Sequence, residues 1–279
     1  MGLLEQHKMV SGFIALFLLI APTAPSFALD RATQAGFVPH KALYDVSLSS
    51  KKSSAKVANI SGKMFYEWRP SCDAWISSHR FDMLYEYVEL PAVRVKSDFS
   101  THETFDGKTF NFTSQRKRAD DSLLEELRGS AGDQSADFSI PENLSFDLPQ
   151  GTLFPMAHTL SVFEKIKAGE KFYNTTIFDG SDKEGPVDVN SFIGKAAKYT
   201  PPKQHKQNID QALVNNDSWN IRLAFFPYDS SDTSSDYEMS LIFHANGVVS
   251  DMIIEYSDFS VSQKLIAIEP LEGVCDPSE

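Results

Sequence analysis

The sequence predicts a mainly β fold built from a long antiparallel sheet with one or two helices. Three observations predict it. Apolar and polar residues alternate at period two from end to end, only one stretch keeps helical spacing, and an Asn-Gly pair splits the last long alternating run into two halves of a hairpin.

The first element is a leader. An almost wholly apolar run from Val10 to Ala21 follows a polar segment carrying Lys8 and precedes Pro22, Pro25 and the small-x-small sequence Ser26-Phe27-Ala28. A run of about 12 apolar residues is short for a bilayer span, so residues 1–28 are expected to be a secretory signal peptide cleaved after Ala28. No cysteine follows the cut to receive lipid, and nothing later is long and apolar enough to be a membrane-spanning helix. The remaining 251 residues (279 − 28) show no shift in composition, which makes residues 29–279 one domain.

Along that domain, Ala42, Tyr44, Val46 and Leu48 share one strand face. Met64, Tyr66 and Trp68 do the same against Lys63, Glu67 and Arg69, with Phe65 as the exception. Phe110 and Phe112 oppose Thr109, Asn111 and Thr113, while Trp219, Ile221, Leu223 and Phe225 oppose Asn220, Arg222 and Ala224. Ser122 to Gly129 is open to either a helical turn or a strand, and Arg128 to Asp137 has loop composition. Met156, Leu160, Phe163 and Ile166 recur at helical spacing, with Thr152 or Pro155 to start the helix and Lys165, Lys167 and Gly169 to end it. Residues 180–186 and 228–236 read as loops. Tyr237 to Phe243 alternates up to Asn246-Gly247, which predicts a type I′ turn, and alternation resumes through Met252, Ile254 and Tyr256. A last run, Gln263 to Leu271, is expected to pair with that hairpin.

Lys and Arg number 26 against 38 Asp and Glu, a net charge of −12, which disfavours polyanionic partners such as nucleic acid. The one basic cluster, Arg116-Lys117-Arg118, is followed by Asp120 and Asp121 and reads as a solvated strand end. The chain has two cysteines, Cys72 and Cys275. In an oxidising compartment two such residues usually pair, and closing a loop of about 200 residues removes chain entropy worth roughly 5 kcal/mol in the polymer model. A nucleophilic Cys72 with His79 as base is the weaker reading, because nucleophile and base usually converge from distant chain positions.

Motifs for catalysis are missing from the sequence: there is no Gly-x-Ser-x-Gly elbow, Walker loop, His-Glu-x-x-His, Cys-x-x-Cys or dinucleotide turn. His7, His40, His79, His102, His158, His205 and His244 are scattered, so a metal site from His102 and Glu103, or from His244, needs long-range convergence. Asp179, Asp182, Glu184 and Asp188 offer oxygen ligands, but their spacing departs from a calcium-binding loop and reads as a surface turn. No cofactor, metal or catalytic residue is expected. The aromatic load, 21 Phe, nine Tyr and three Trp, fits either a core of large side chains or an apolar cleft for a lipid, peptide or protein segment.

Several segments together resemble one family: Pro39 to Leu48, Ser61 to Trp68 with Cys72 to Trp75, Phe105 to Gly107, Leu148 to Thr159, Leu223 to Pro227, Tyr237 to Val261, and Glu269 to Cys275. In order and spacing they resemble the EipB cell-envelope integrity family of the Gram-negative periplasm. The resemblance implies a β-spiral, in which a long antiparallel sheet curls into an open barrel around a helix, and a disulfide between Cys72 and Cys275. It implies a non-enzymatic periplasmic protein that maintains envelope integrity as a scaffold or binding module for a tetratricopeptide-repeat protein. A lipid or lipoprotein ligand in an apolar cleft is the alternative. An outer-membrane barrel is the structural rival, but the polar end of this chain, from Gly273 to Glu279, is not the closing strand such barrels usually carry.

Overall fold

The computed structural model describes residues 36–132, 134–229 and 234–272. The expected leader, Cys275 and residues 230–233 of the serine- and aspartate-rich loop lie outside them. Alternation dominates the described chain. The strands are β1 (His40–Lys51), β2 (Val57–Pro70), β3 (Ala74–Tyr87), β4 (Val93–Thr104), β5 (Phe110–Arg118), β6 (Leu123–Ala131), β7 (Ser135–Ile140) and β8 (Ser145–Asp147), followed by the helix α1 (Pro155–Lys167). After it come β9 (Phe172–Ile177), β10 (Val187–Ala197), the single-turn helix α2 (Gln211–Val214), β11 (Ser218–Pro227), β12 (Tyr237–His244), β13 (Val249–Glu255) and β14 (Phe259–Pro270).

All fourteen strands form one antiparallel sheet in the order β8-β7-β6-β5-β4-β3-β2-β1-β14-β13-β12-β11-β10-β9. It consists of two meanders joined at the centre, where the last strand pairs with the first and His40 lies opposite Pro270. The two free edges, β8 and β9, are consecutive in sequence and are linked by the segment that contains α1.

The packing of α1 shows that the sheet curls. Met156, Leu160, Val162 and Ile166 of the helix bury against Trp68 and Trp75 of β2 and β3, and also against Ile193, Ile221 and Phe243 of β10 to β12. Those strand groups lie far apart in the sheet order, and one helix can touch both only from inside a rolled sheet. Twist in a sheet of this width favours such rolling over a flat plane. Roll-up brings the two edge regions together without a backbone ladder between them. Phe178, just past β9, packs edge-on against Phe112 and Phe138 of β5 and β7, with ring centroids 5.7 and 6.4 Å apart. At the same seam Lys183 meets Glu125 of β6 at 3.0 Å. The open barrel is therefore shut by side chains, and Leu153 adds a single parallel bridge to Ile177 at the β9 edge.

Inner and outer faces follow the sequence pattern. Ala42, Tyr44, Val46, Met64, Trp68, Phe110 and Phe112 are buried. The exceptional Phe65 lies on the outer face, where the Arg80 guanidinium sits 4.5 Å from its ring centre. Three expectations change or resolve. Leu123 to Gly129 is strand. Arg128 to Asp137 is mostly strand, because Arg128–Ala131 completes β6 and Ser135 begins β7. The β12–β13 turn is not type I′: within Asn246-Gly247 only Gly247 takes positive φ, at 86°. Gly247 N–H donates to His244 O, and His244 N–H donates to Val248 O, which makes a three-residue loop with glycine at the left-handed position.

A Cβ added at Gly247 would lie 2.3 Å from the Phe37 ring, besides being strained by the positive φ. Gly247→Ala is expected to lower stability by roughly 1–3 kcal/mol, measured by urea unfolding with an unchanged m-value.

Candidate functional site

Rolling the sheet leaves an interior that α1 fills only in part. Beneath the helix is a cavity of about 140 Å³ lined by Phe37, Tyr66, Trp68, Met156, His158, Leu241 and Phe243, among others. It shares Tyr66, Gly247 and Val249 with a second cavity of about 160 Å³, whose walls include Tyr44, Met64, His79 and Met252. That one shares Gln263 with a third, of about 280 Å³, lined by Ile60, Phe81, Tyr85, Ser97, Tyr256 and Phe259. The three compartments lie side by side along the inner face of β2, sharing wall residues, and together make up the lumen. From Ile60 to Trp68 it spans eight residues, or about 27 Å of strand. The Tyr44 hydroxyl donates to Val249 O at 2.7 Å and so crosses from β1 to β13 over the intervening strand.

One carboxylate fixes the inner end of this lumen. Glu103 on β4 is 2% exposed, and its two oxygens accept from the backbone N–H groups of Met156 and Ala157, each at 2.7 Å. These are donors of the first helical turn that lack intrahelical partners, and the N-cap residue Phe154 has no side chain able to take them. Glu103 therefore caps α1 from a strand far away in sequence. Burial pushes its carboxyl up to about 7, against the lowering effect of the two backbone hydrogen bonds. The Trp68 indole N–H adds a contact to the Met156 sulfur at 3.1 Å.

The histidines are structural or inert as bases. Burial lowers His79, His158 and His244 to about 4, so they are neutral near pH 7. His244 Nε2 and Ser250 Oγ share a hydrogen bond at 2.9 Å, and His40 Nδ1 donates to Val38 O at 2.7 Å. His158 Nε2 is buried without a hydrogen-bond partner beside the cavity under α1. Strand alternation puts His102 on the outer face and Glu103 on the inner one, so the two cannot share an ion. Among the described residues no three His, Cys, Asp or Glu side chains converge on a metal position.

Cys72 is exposed in the β2–β3 turn. His79 lies seven residues on, which along a strand is roughly 20 Å. Sequence proximity has not made them neighbours, and Cys275, the other half of the expected staple, is outside the described residues. The acidic loop holds turns: Asp179 Oδ1 accepts from Ser181 N–H and Asp182 Oδ1 from Glu184 N–H, while Asp188 accepts from the Thr176 hydroxyl at 2.6 Å. Arg116, from the basic cluster, is paired with Glu125.

A lumen of this kind, enclosed by a rolled antiparallel sheet and plugged by one helix, matches known proteins in sequence and in shape. Residues 31–272 match the family described as EipB-like. The chain belongs to the EipB-like family. It is 28% identical over 248 residues to the cell envelope integrity protein EipB of Brucella abortus (strain 2308), covering 87% of each chain. A crystal structure of a β-barrel-like protein of a domain of unknown function from Brucella abortus superposes with a TM-score of 0.77 at 28% identity. That match covers 85% of this chain and 99% of the other. The rolled sheet is thus the EipB-like fold, and the named relative is a cell envelope integrity protein.

Glu103 gives this EipB-like chain a pH signature. Because its carboxyl lies above the ordinary 4.5, the folded state holds more protons than the unfolded state between about pH 4.5 and 7. Its contribution to stability is full below that window and is lost as pH rises through it. The stability advantage of the wild type over Glu103→Gln is expected to shrink by up to about 3 kcal/mol across the window, read from urea unfolding at a series of pH values.

Proposed function

We propose that the protein is a non-enzymatic periplasmic binding module that supports cell-envelope integrity by holding a tetratricopeptide-repeat protein. One observation carries the protein-contact reading. The outer face of β9 to β13 bears a groove of about 570 Å³ with Phe192 and Ile253 on its walls, 47% and 39% exposed, and Phe172 beside it, 51% exposed. The Phe172 and Phe192 rings meet with centroids 5.2 Å apart. Exposed aromatic pairs ringed by polar groups are what interface centres are made of, and β9 is also an open sheet edge. A repeat protein recovered with the mature chain, and lost when Phe192→Ser and Ile253→Ser are combined, supports this reading. Recovery unchanged by that pair, with an unchanged melting temperature, removes it.

Export and the disulfide belong to the same proposal. Sheet register supports the pairing: Trp68 and Pro270 both lie opposite His40, on either side of it. Two strand spacings of about 4.8 Å separate them, and the few residues from Leu271 to Cys275 can reach the β2–β3 turn at about 3.5 Å each. Cys72→Ser and Cys275→Ser are each expected to lower the melting temperature, with the double variant no worse than either single one. Equal melting with and without reductant overturns the staple.

The second reading, a carrier of a lipid or acylated protein, is favoured by the apolar lumen. Among the described residues no acid, base and nucleophile meet along its walls, and burial keeps His79 and His158 neutral near pH 7.

A further inference from the structure

Most of the lumen wall is apolar, and a polar exception lies at the junction of its middle and outer compartments. Gln263 of β14 is 5% exposed and borders both. No hydrogen bond forms on its side-chain amide among the described residues, while its backbone is paired with Val46 of β1 on one side and Met252 of β13 on the other. An amide that borders two cavities is a donor and acceptor open to a group that enters the lumen. Inward of it the walls are mostly apolar or aromatic, with Tyr66, Trp68, Leu241, Phe243, Val249 and Met252, and their polar groups are His79 in the middle compartment and His158 and Thr159 beneath α1.

This distribution selects a ligand with its polar group near one end. An extended peptide would carry amides along its whole length into the deep compartments and leave most of them unpaired. A hydrocarbon tail would not. Val46 lies opposite both Gln263 and Gly62, so the amide is level with Gly62 on β2. From there to Trp68 is six residues, about 20 Å of strand. One leaflet of a bilayer core is about 15 Å deep, half of about 30 Å, so a single membrane acyl tail fits this depth. The two deep compartments, about 140 and 160 Å³, together only reach the lower end of ligand-site volumes and leave no room for a second tail.

We propose that the lumen binds one fatty acyl chain of a lysophospholipid, its ester carbonyl accepting from the Gln263 amide and its tail running inward to Trp68 beneath α1. The head group then lies in the outer compartment, among Tyr85, Ser97 and Tyr256. This rests on the carrier reading above and narrows it to a single-chain amphiphile.

The test is native mass spectrometry of the mature protein titrated with 1-palmitoyl lysophosphatidylethanolamine and, separately, with a triacylated lipopeptide. A one-to-one lysophospholipid complex is expected. Gln263→Leu should weaken it about tenfold, the loss of one hydrogen bond, and Val249→Trp, which fills the deep lumen, should abolish it. If Val249→Trp does not fold, Gln263→Leu decides alone, since it preserves volume and its fold is checked by circular dichroism. Equal affinity of the wild type and Gln263→Leu overturns the proposal. Binding of the lipopeptide alone overturns it while sparing the carrier reading, and binding of neither ends both.

Discussion

A carboxylate without a counter-ion holds this molecule in shape. Glu103 reaches from the sheet to the first turn of α1 and satisfies two backbone donors that no nearby side chain could take. Helix N-termini attract negative charge, and burial disfavours it. With the carboxyl near 7, burial is the stronger of the two. Once the helix is pinned there, its apolar face must lie between Trp68 and Trp75 on one side and Ile221 and Phe243 on the other, which sets how tightly the sheet rolls.

Roll without closure is the second constraint. A closed barrel removes its edges by pairing them, whereas this sheet leaves β8 and β9 apart and fills the seam with Phe112, Phe138 and Phe178. Aromatic packing is directionally less demanding than a hydrogen-bond ladder. It lets the sheet carry an odd-shaped interior, with a helix at one end and a wider compartment at the other. The same geometry separates the two surfaces offered for binding, because the groove at Phe192 is outside the roll and Gln263 is inside.

Much of the fold was legible because strand alternation is a local signal. Tyr44, Met64, Phe110 and Ile221 could be assigned to the interior from their neighbours alone, and Pro155 with Gly169 bracketed the helix. What stayed hidden depends on contacts between distant parts of the chain. The β12–β13 turn missed by one residue, since Asn246-Gly247 fits either of two turn types and the register of the flanking strands chooses between them. Ser-, Gly- and Asp-rich composition disguised the start of β7, where Ala136 joins the buried cluster that holds Phe112. Glu103 beside His102 makes a metal site only with long-range convergence, and strand parity alone already splits the pair. Its true partner, the helix start, lies more than fifty positions away. Gln263 carried no signal at all, because a glutamine on a strand is ordinary until its surroundings are known to be apolar.

The central seam of the sheet joins β1 to β14, the earliest and the latest of the described strands. A chain growing from its N-terminus can build the β1–β8 meander early, but β1 keeps a bare edge until residue 270 has emerged. Non-local pairing of this kind is slow to form and leaves intermediates exposed. The nascent protein thus cannot complete its middle before β14 has emerged, and for that interval it remains an unfinished, threadable polymer.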